Sequence, residues 1–229
     1  MRINAFIAQA TGVSRRRADI LIKEGSVSIN SRIADLGSRV GPNDKVMLNN
    51  KPVYSSLEQL TTVMFNKPIG YVVSRNGQGA NTIYDLLPNK LSKLKPVGRL
   101  DKDSSGLLLL TNDGQLAYEL THPSLSKLKR YEVSLDKPIN PYDIRLIKKG
   151  ISLADGLSRL NISSISFDQR SMTISMSEGR NRQIRRTFSA LGYHVNKIHR
   201  IQFGSFLLGD LPSGKWKEIE KDSKVGARK

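Results

Sequence analysis

The residues with the clearest chemical potential lie in VGRLDKDSSGLLLLTNDG, from Val97 to Gly114. Arg99 and Asp101 open it. Asp103, Ser104, Ser105 and Gly106 bend it, and Leu107 to Leu110 carry it towards Thr111, Asn112, Asp113 and Gly114. Consecutive leucines between turn-forming residues predict a short strand buried on both faces. A charged, glycine-containing loop held against such a strand is where folds commonly display fixed catalytic groups. The same pattern suits an ordinary loop entering a core strand, and the stretch alone leaves both open. Asp101 and Asp103 also raise the idea of a carboxylate pair doing acid–base work, as in glycosidases. Followed by Ser-Ser-Gly, Asp103 better suits a residue that fixes the loop through side-chain-to-backbone hydrogen bonds.

The most basic stretch is Glu178-Gly179-Arg180-Asn181-Arg182-Gln183-Ile184-Arg185-Arg186. Periodicity predicts a helix over Asn181 to Leu191, using Ile184, Phe188 and Leu191 and ended by Gly192. On it Arg182 would neighbour Arg185 at i, i+3 and Arg186 at i, i+4. Like charges packed so closely cost stability unless an anion sits among them. Phosphate and a fixed carboxylate both qualify; a solvated basic face is the plainer alternative.

The bulk properties narrow the classes. The chain has 229 residues, 37 Lys and Arg against 20 Asp and Glu, and a net charge of +17. That excess implies a polyanionic partner, with nucleic acid ahead of a membrane because no strongly basic amphipathic helix stands out. No apolar segment is long enough to cross a bilayer. The start, MRINAFIAQATGVSRRR, lacks the apolar run of a signal peptide, so a cytoplasmic location is expected. Cysteine is absent, and His122, His194 and His199 are scattered, which excludes thiolate ligands and gives a metal centre no support. There is no phosphate-binding G-x-x-x-x-G-K-[ST] loop, and Gly70, Gly77 and Gly79 lack dinucleotide-binding spacing. No nucleotide, metal or other cofactor is expected.

Two domains are expected. In residues 1–53, Arg2 to Ala10 reads as a short amphipathic helix. Ser14 should cap a second, Arg15 to Lys23, burying Ala18, Leu21 and Ile22. Short strands around Val27, Ile29, Val46 and Leu48 follow. This segment carries nine basic and four acidic side chains. Arg15, Arg16 and Arg17 crowd the helix start, where the dipole already favours phosphate. Residues 54–60 read as a polar linker, 61–220 as a larger α+β domain, and 221–229 as a basic tail expected to be disordered. In the larger domain strands are expected at Val63–Phe65, Tyr71–Val73, Arg130–Leu135 and His194–Gln202, with a hairpin of Ile162–Phe167 and Met172–Met176. Helices are expected at Gln115–Thr121 and Pro141–Lys149, and a short one capped by Thr82. Tyr131, Val133 and Leu135 should share one face.

RINAFIAQATGVSRRRADILIKEGSVSINSRIA, followed by GPNDKV, resembles the alpha-L RNA-binding domain: two short helices, then a small sheet. The resemblance implies that Arg15, Arg16, Arg17 and Lys23 face structured RNA. GRLDKDSSGLLLLTNDG resembles the central motif of RsuA/RluB-type pseudouridine synthases, which act on ribosomal RNA. NKPIGYVVS, LTHPS, KRYEVSL, EGRNRQIRR and FSALGYHVNKIHR resemble that family's other signatures in order. Ser104 departs from the usual threonine, conservatively.

The resemblance implies an α+β catalytic domain on a mixed, mainly antiparallel sheet. It also implies a cofactor-free reaction that detaches uracil from ribose, rotates it and rejoins it through carbon. It places the essential aspartate at Asp101 and its counter-charge at Arg185. Tyr131 would be the residue that stacks on a flipped base, and Arg99 would help hold the nucleotide or its phosphate. Arg180, Arg182 and Arg186 are expected RNA contacts. Asp101 is expected to work ionised in a site closed to water, where burial alone would raise its pKa. The expected partner is ribosomal RNA or a pre-ribosomal particle, the expected state a monomer. EGRNRQIRR and LTHPS lean towards large-subunit RNA. The rival from another class is a non-catalytic RNA-binding protein of ribosome assembly.

Overall fold

The computed structural model describes residues 1–54 and 59–219, and it divides into two units, Met1–Gln59 and Leu60–Lys229. Most of the expected linker, and the whole expected tail, lie outside the described residues.

In the first unit, α1 (Ile3–Thr11) ends at Gly12, whose φ of +79° is left-handed. The next helix, α2 (Arg15–Lys23), starts at Ser14, whose hydroxyl accepts the Arg17 amide. Four short strands follow: β1 (Val27–Ile29), β2 (Arg32–Ile33), β3 (Val46–Leu48) and β4 (Lys51–Val53), in the antiparallel order β2-β1-β3-β4. Ile3, Ile7, Ala18, Ile22, Val27 and Val46 form the core, with Leu21 only partly buried beside it. The apolar spacing in both helices is therefore what seats them on the sheet. It leaves Arg15, Arg16 and Arg17 exposed at the start of α2.

The second unit begins with β5 (Thr62–Lys67). The strand expected at Tyr71–Val73 does not form; Val72 makes one isolated bridge to Thr82. The Val72 amide bonds Asn81 and its carbonyl accepts from Ile83, and the partner chain then turns into a 3-10 element at Ile83. Thr82 and Asp85 make a capping box on the 3-10 turn Ile83–Leu86. Then come β6 (Lys95–Val97), β7 (Ser105–Thr111), α3 (Gly114–Thr121), β8 (Lys129–Leu135) and α4 (Pro141–Lys149). A small hairpin, β9 (Ile151–Leu153) with β10 (Gly156–Ser158), was not foreseen in the sequence. The chain continues through β11 (Asn161–Ser163), β12 (Ser171–Met176), α5 (Gln183–Ser189), β13 (Val195–Phe203), β14 (Phe206–Leu207) and β15 (Trp216–Glu218).

The main sheet runs β11-β12-β8-β13-β7-β5-β15. β13 and β7 are parallel, while the other neighbours along this path are antiparallel. The architecture is thus the expected α+β one, on a mixed and mainly antiparallel sheet. All four leucines of β7 are fully buried. Leu108 and Leu110 enter the larger core with Phe65, Tyr131, Val133 and Phe188. Leu107 and Leu109 enter a second core on the other face, with Met64, Leu120 and Phe203. A strand wedged between two cores can hardly move, and the Asp101 loop is tied to its first residue.

Candidate active site

Lys67 closes β5 and is fully buried. Its ammonium donates to the carbonyls of Pro68 at 2.9 Å, Asp101 at 3.1 Å and Ser104 at 2.7 Å. Burial pushes it down to about 8, against the opposing pull of Asp101 and Asp103. Ser104 donates its amide back to the Asp101 carbonyl at 3.1 Å, and Gly70 donates to Lys102 at 2.8 Å. The loop that carries Asp101 is therefore gripped through its backbone, which leaves the carboxylate free. Sequence reasoning alone does not single out Lys67. The available signal was a lysine ending a run as apolar as Thr62–Asn66, where a charge has to find several acceptors.

The loop's side chains meet the arginines, in a pairing that differs from the expected one. Arg182 grips Asp103 with two parallel bonds, Nη1 to Oδ1 and Nη2 to Oδ2, both 3.1 Å. Its Nη1 lies 3.8 Å from Asp101 Oδ2. Arg185 also reaches Asp103, with Nε 3.2 Å from Oδ2, and bonds the Asp103 and Val195 carbonyls at 2.9 and 2.6 Å. Arg182, not Arg185, is thus the guanidinium beside Asp101. Burial raises the Asp103 carboxyl, but the Arg182 hydrogen bonds and the charges of Arg185 and Arg182 outweigh it and hold it below its ordinary value. The Asp103 carboxylate is held by two arginine side chains, in place of the side-chain-to-backbone bonding its sequence context suggested.

The arginine helix also starts later than expected. Arg182 adopts φ +46° and stands as the cap of α5, so Arg180 and Arg182 belong to the preceding loop. Arg180 donates to Asp155 Oδ1 at 3.0 Å and to the carbonyls of Asp155, Gly156 and Leu157 at 2.9–3.0 Å. Arg186 holds the two Asp155 oxygens at 2.9 and 2.6 Å. Of the two anions the sequence offered for this cluster, the fixed carboxylate of Asp155 is the one these two arginines hold. Asp155 sits in the β9–β10 turn, where Asp155-Gly156 between Ile151-Ser152-Leu153 and Leu157-Ser158 is the dipeptide signal that could have marked the hairpin.

These elements surround a cavity of about 720 Å³, a size that holds a small guest. Asp101, Arg99, Arg182, Tyr131, Met176, Ile184 and Ile198 border it. Tyr131 is 8% exposed, with Val133 and Leu135 on the same buried face, as the alternation predicted. Arg99 is exposed at the cavity's edge. The Asp101 side chain remains 35% exposed, so the free protein does not close it off from water as expected. Lys129 and Arg200, neither singled out in the sequence, border the same cavity. Among the described residues no group of three or more acidic or histidine side chains is placed to hold a metal ion.

In the first unit, Arg15 donates to Asn4 Oδ1 at 3.2 Å and Arg17 stands 3.9 Å from Glu24. Arg16 and Lys23 are exposed alongside them.

Comparison with known proteins agrees with both halves. Residues 1–46 match the S4 domain model, and residues 61–190 match the model described as RNA pseudouridylate synthase. An uncharacterized RNA pseudouridine synthase of Aquifex aeolicus is 35% identical over 96% of this chain and 91% of its own length. The ribosomal large subunit pseudouridine synthase B of Bacillus subtilis is also 35% identical, over 95% of this chain and 91% of its own. A pseudouridylate synthase crystal structure superposes with a TM-score of 0.68 at 30% identity, covering 96% of both chains. With a matching domain model at each end and relatives aligned along nearly all its length, the chain belongs to the RNA pseudouridylate synthase family.

Proposed function

We propose that this chain converts uridine to pseudouridine in ribosomal RNA, with large-subunit RNA as the favoured substrate and Asp101 as the group that acts on the ribose. The observation that carries the site assignment is the Asp101 carboxylate itself. It stands at the mouth of a nucleotide-sized cavity, on a loop whose backbone Lys67 grips, with a guanidinium 3.8 Å away. Whether it attacks C1′ or removes a ribose proton, the same ionised carboxylate is required. Extruding the uridine from its stack and pressing the base against Tyr131 supplies the access that a paired base denies. The docked RNA then performs the closure the free protein lacks, and exclusion of water strengthens the Arg182–Asp101 attraction. Arg99 holds the nucleotide at the cavity's edge. Arg185 serves through Asp103, by keeping the loop in place.

The S4 unit supplies RNA affinity, through Arg15, Arg16, Arg17 and Lys23. Replacing Arg15, Arg16 and Arg17 by alanine should weaken binding and lower the slope of log affinity against log salt by about 2, since each lost phosphate contact removes about 0.7–0.9. An unchanged slope would take these residues out of the interface. We propose a monomer working on ribosomal RNA or a pre-ribosomal particle in the cytoplasm. The large-subunit preference rests on the Bacillus subtilis relative and on the EGRNRQIRR and LTHPS segments. Mapping pseudouridines in ribosomal RNA from cells with and without the gene tests the whole assignment. Loss of pseudouridine at a discrete large-subunit position is expected; an unchanged map would overturn it.

Asp103→Asn separates loop positioning from direct chemistry. Asparagine leaves Arg182 and Arg185 without their shared carboxylate, and a displacement of the loop by about 1 Å costs about 100-fold in rate. A loss of that size, well short of the Asp101→Asn loss, is expected in initial-rate assays. Equal inactivation would restore the carboxylate-pair idea.

A further inference from the structure

Arg200 is a charged residue buried without a countercharge. It lies on β13, is 2% exposed, and donates Nε to the Leu107 carbonyl at 2.7 Å. Its guanidinium carbon stands 4.8 Å from the centre of the Phe203 ring. The Nη2 group is buried and has no hydrogen-bond partner, and among the described residues no carboxylate pairs with Arg200. Lys129 borders the same cavity, with its ammonium on the carbonyls of Ser177 and Glu178 at 3.3 Å. Burial and then the Arg200 charge lower the Lys129 pKa, while Glu178 opposes them. Glu178 is itself engaged by Arg180 and Gln183. Burying an unpaired guanidinium destabilises the fold, and an anion arriving in the cavity would offset that.

The position says which anion. Arg200 is the register partner of Tyr131 on β8 and of Gly106 on β7, one residue beyond the end of the Asp101 loop. A nucleotide flipped into the cavity leaves its phosphate outside with the polymer, beside exposed residues such as Arg99. Its base goes inward, where Tyr131 and Arg200 are. Detaching that base breaks the C1′–N1 bond and leaves the electron pair on uracil, as an anion shared by N1, O2 and O4. After rotation, C5 of the same anion bonds to C1′. The C5 proton is then lost to water, and N1 ends protonated by water, so atoms and charge balance without another reactant.

We propose that Arg200 stabilises the detached uracil anion, by donating hydrogen bonds from the Nη groups of its guanidinium to the uracil oxygens. A planar fork of donors suits this task, because it can hold either carbonyl oxygen as the ring turns. Lys129 adds positive potential from the neighbouring strand. The inference rests on the uridine isomerisation proposed above.

The test uses Arg200→Gln and Arg200→Lys, with large-subunit ribosomal RNA transcripts carrying either [5-³H]uridine or 5-fluorouridine. Tritium release under single-turnover conditions should fall by about 100-fold in Arg200→Gln, the usual cost of losing a donor to a developing oxyanion. Half-saturating RNA concentration should be unchanged, and Arg200→Lys should recover part of the rate. Fluorine makes uracil a more acidic leaving group that needs less stabilisation. Conversion of 5-fluorouridine, followed by mass spectrometry of nuclease digests, should therefore slow by only about tenfold. Fluorine cannot leave C5 as a proton, so the product followed is the C5-linked nucleoside with water added at C6. Both RNAs are run on one preparation, so a partly unfolded variant lowers both rates alike. Equal slowing on the two RNAs, or an unimpaired Arg200→Gln, overturns the role of Arg200. If the wild-type protein releases no tritium, the isomerase assignment itself falls.

Discussion

Asp101→Asn is expected to lower pseudouridine formation by at least about 10⁴-fold, the scale seen when the group that performs the bond-making step is removed. Asparagine keeps the shape of the side chain but can act neither as nucleophile towards C1′ nor as base towards a ribose proton. The fold should barely notice. The Lys67 and Ser104 bonds go to the Asp101 carbonyl oxygen, which the substitution leaves in place. The attraction lost is the 3.8 Å approach of Arg182, between side chains 35% and 45% exposed, and such a pair contributes less than about 1 kcal/mol. RNA affinity and melting temperature should therefore stay close to wild type while tritium release disappears. Retained activity would remove Asp101 from the chemistry. A parallel loss of RNA binding would instead make it a docking residue.

What could be read from the sequence and what could not divides by distance along the chain. The α2 cap at Ser14, the buried leucines of β7 and the inward face of Tyr131 follow from residues within one turn or one strand of each other. Local periodicity and capping chemistry suffice for these. The electrostatic partners of the site do not follow from such rules. Asp103 meets Arg182 and Arg185 across 79 and 82 residues. Only the placement of β13 beside β7, in parallel, brings those segments together. The sequence identified a cluster of arginines in need of an anion, and carboxylate stood among its two candidates. It could not say that Asp155 would take Arg180 and Arg186 while Asp103 took Arg182 and Arg185. Arg200 was hidden for a related reason. Inside a strand pattern an arginine reads as an outward, solvated residue, and its burial becomes visible only once Phe203, Leu107 and Lys129 are in place around it.

Gly106→Ala should produce the largest loss of stability of any single methyl group added near the site. Gly106 has φ +103°, a conformation that costs a residue with a side chain about 1–3 kcal/mol. A Cβ built there would lie 2.3 Å from the Arg200 carbonyl oxygen and 2.5 Å from its amide nitrogen. These are backbone atoms of a central strand, so no side chain can swing aside, and relief requires β7 and β13 to separate where they pair in parallel. Overpacking of this kind costs about 1–3 kcal/mol in addition, for a total of about 2–6 kcal/mol and a fall in melting temperature of about 10 °C. Gly114 provides the control, because a Cβ there meets nothing within 4 Å, and Gly114→Ala should change the melting temperature little. The protein that remains folded should also be slower, since the displaced joint links the Asp101 loop, through Ser105 and its 2.8 Å bond to His199, with the strand that carries Arg200. A Gly106→Ala melting temperature within about 2 °C of wild type, less than 1 kcal/mol for a unit of this size, would mean that the two strands are not held at this spacing. The fixed relation between the carboxylate and the buried arginine would then have to come from Lys67 and Asp103 alone.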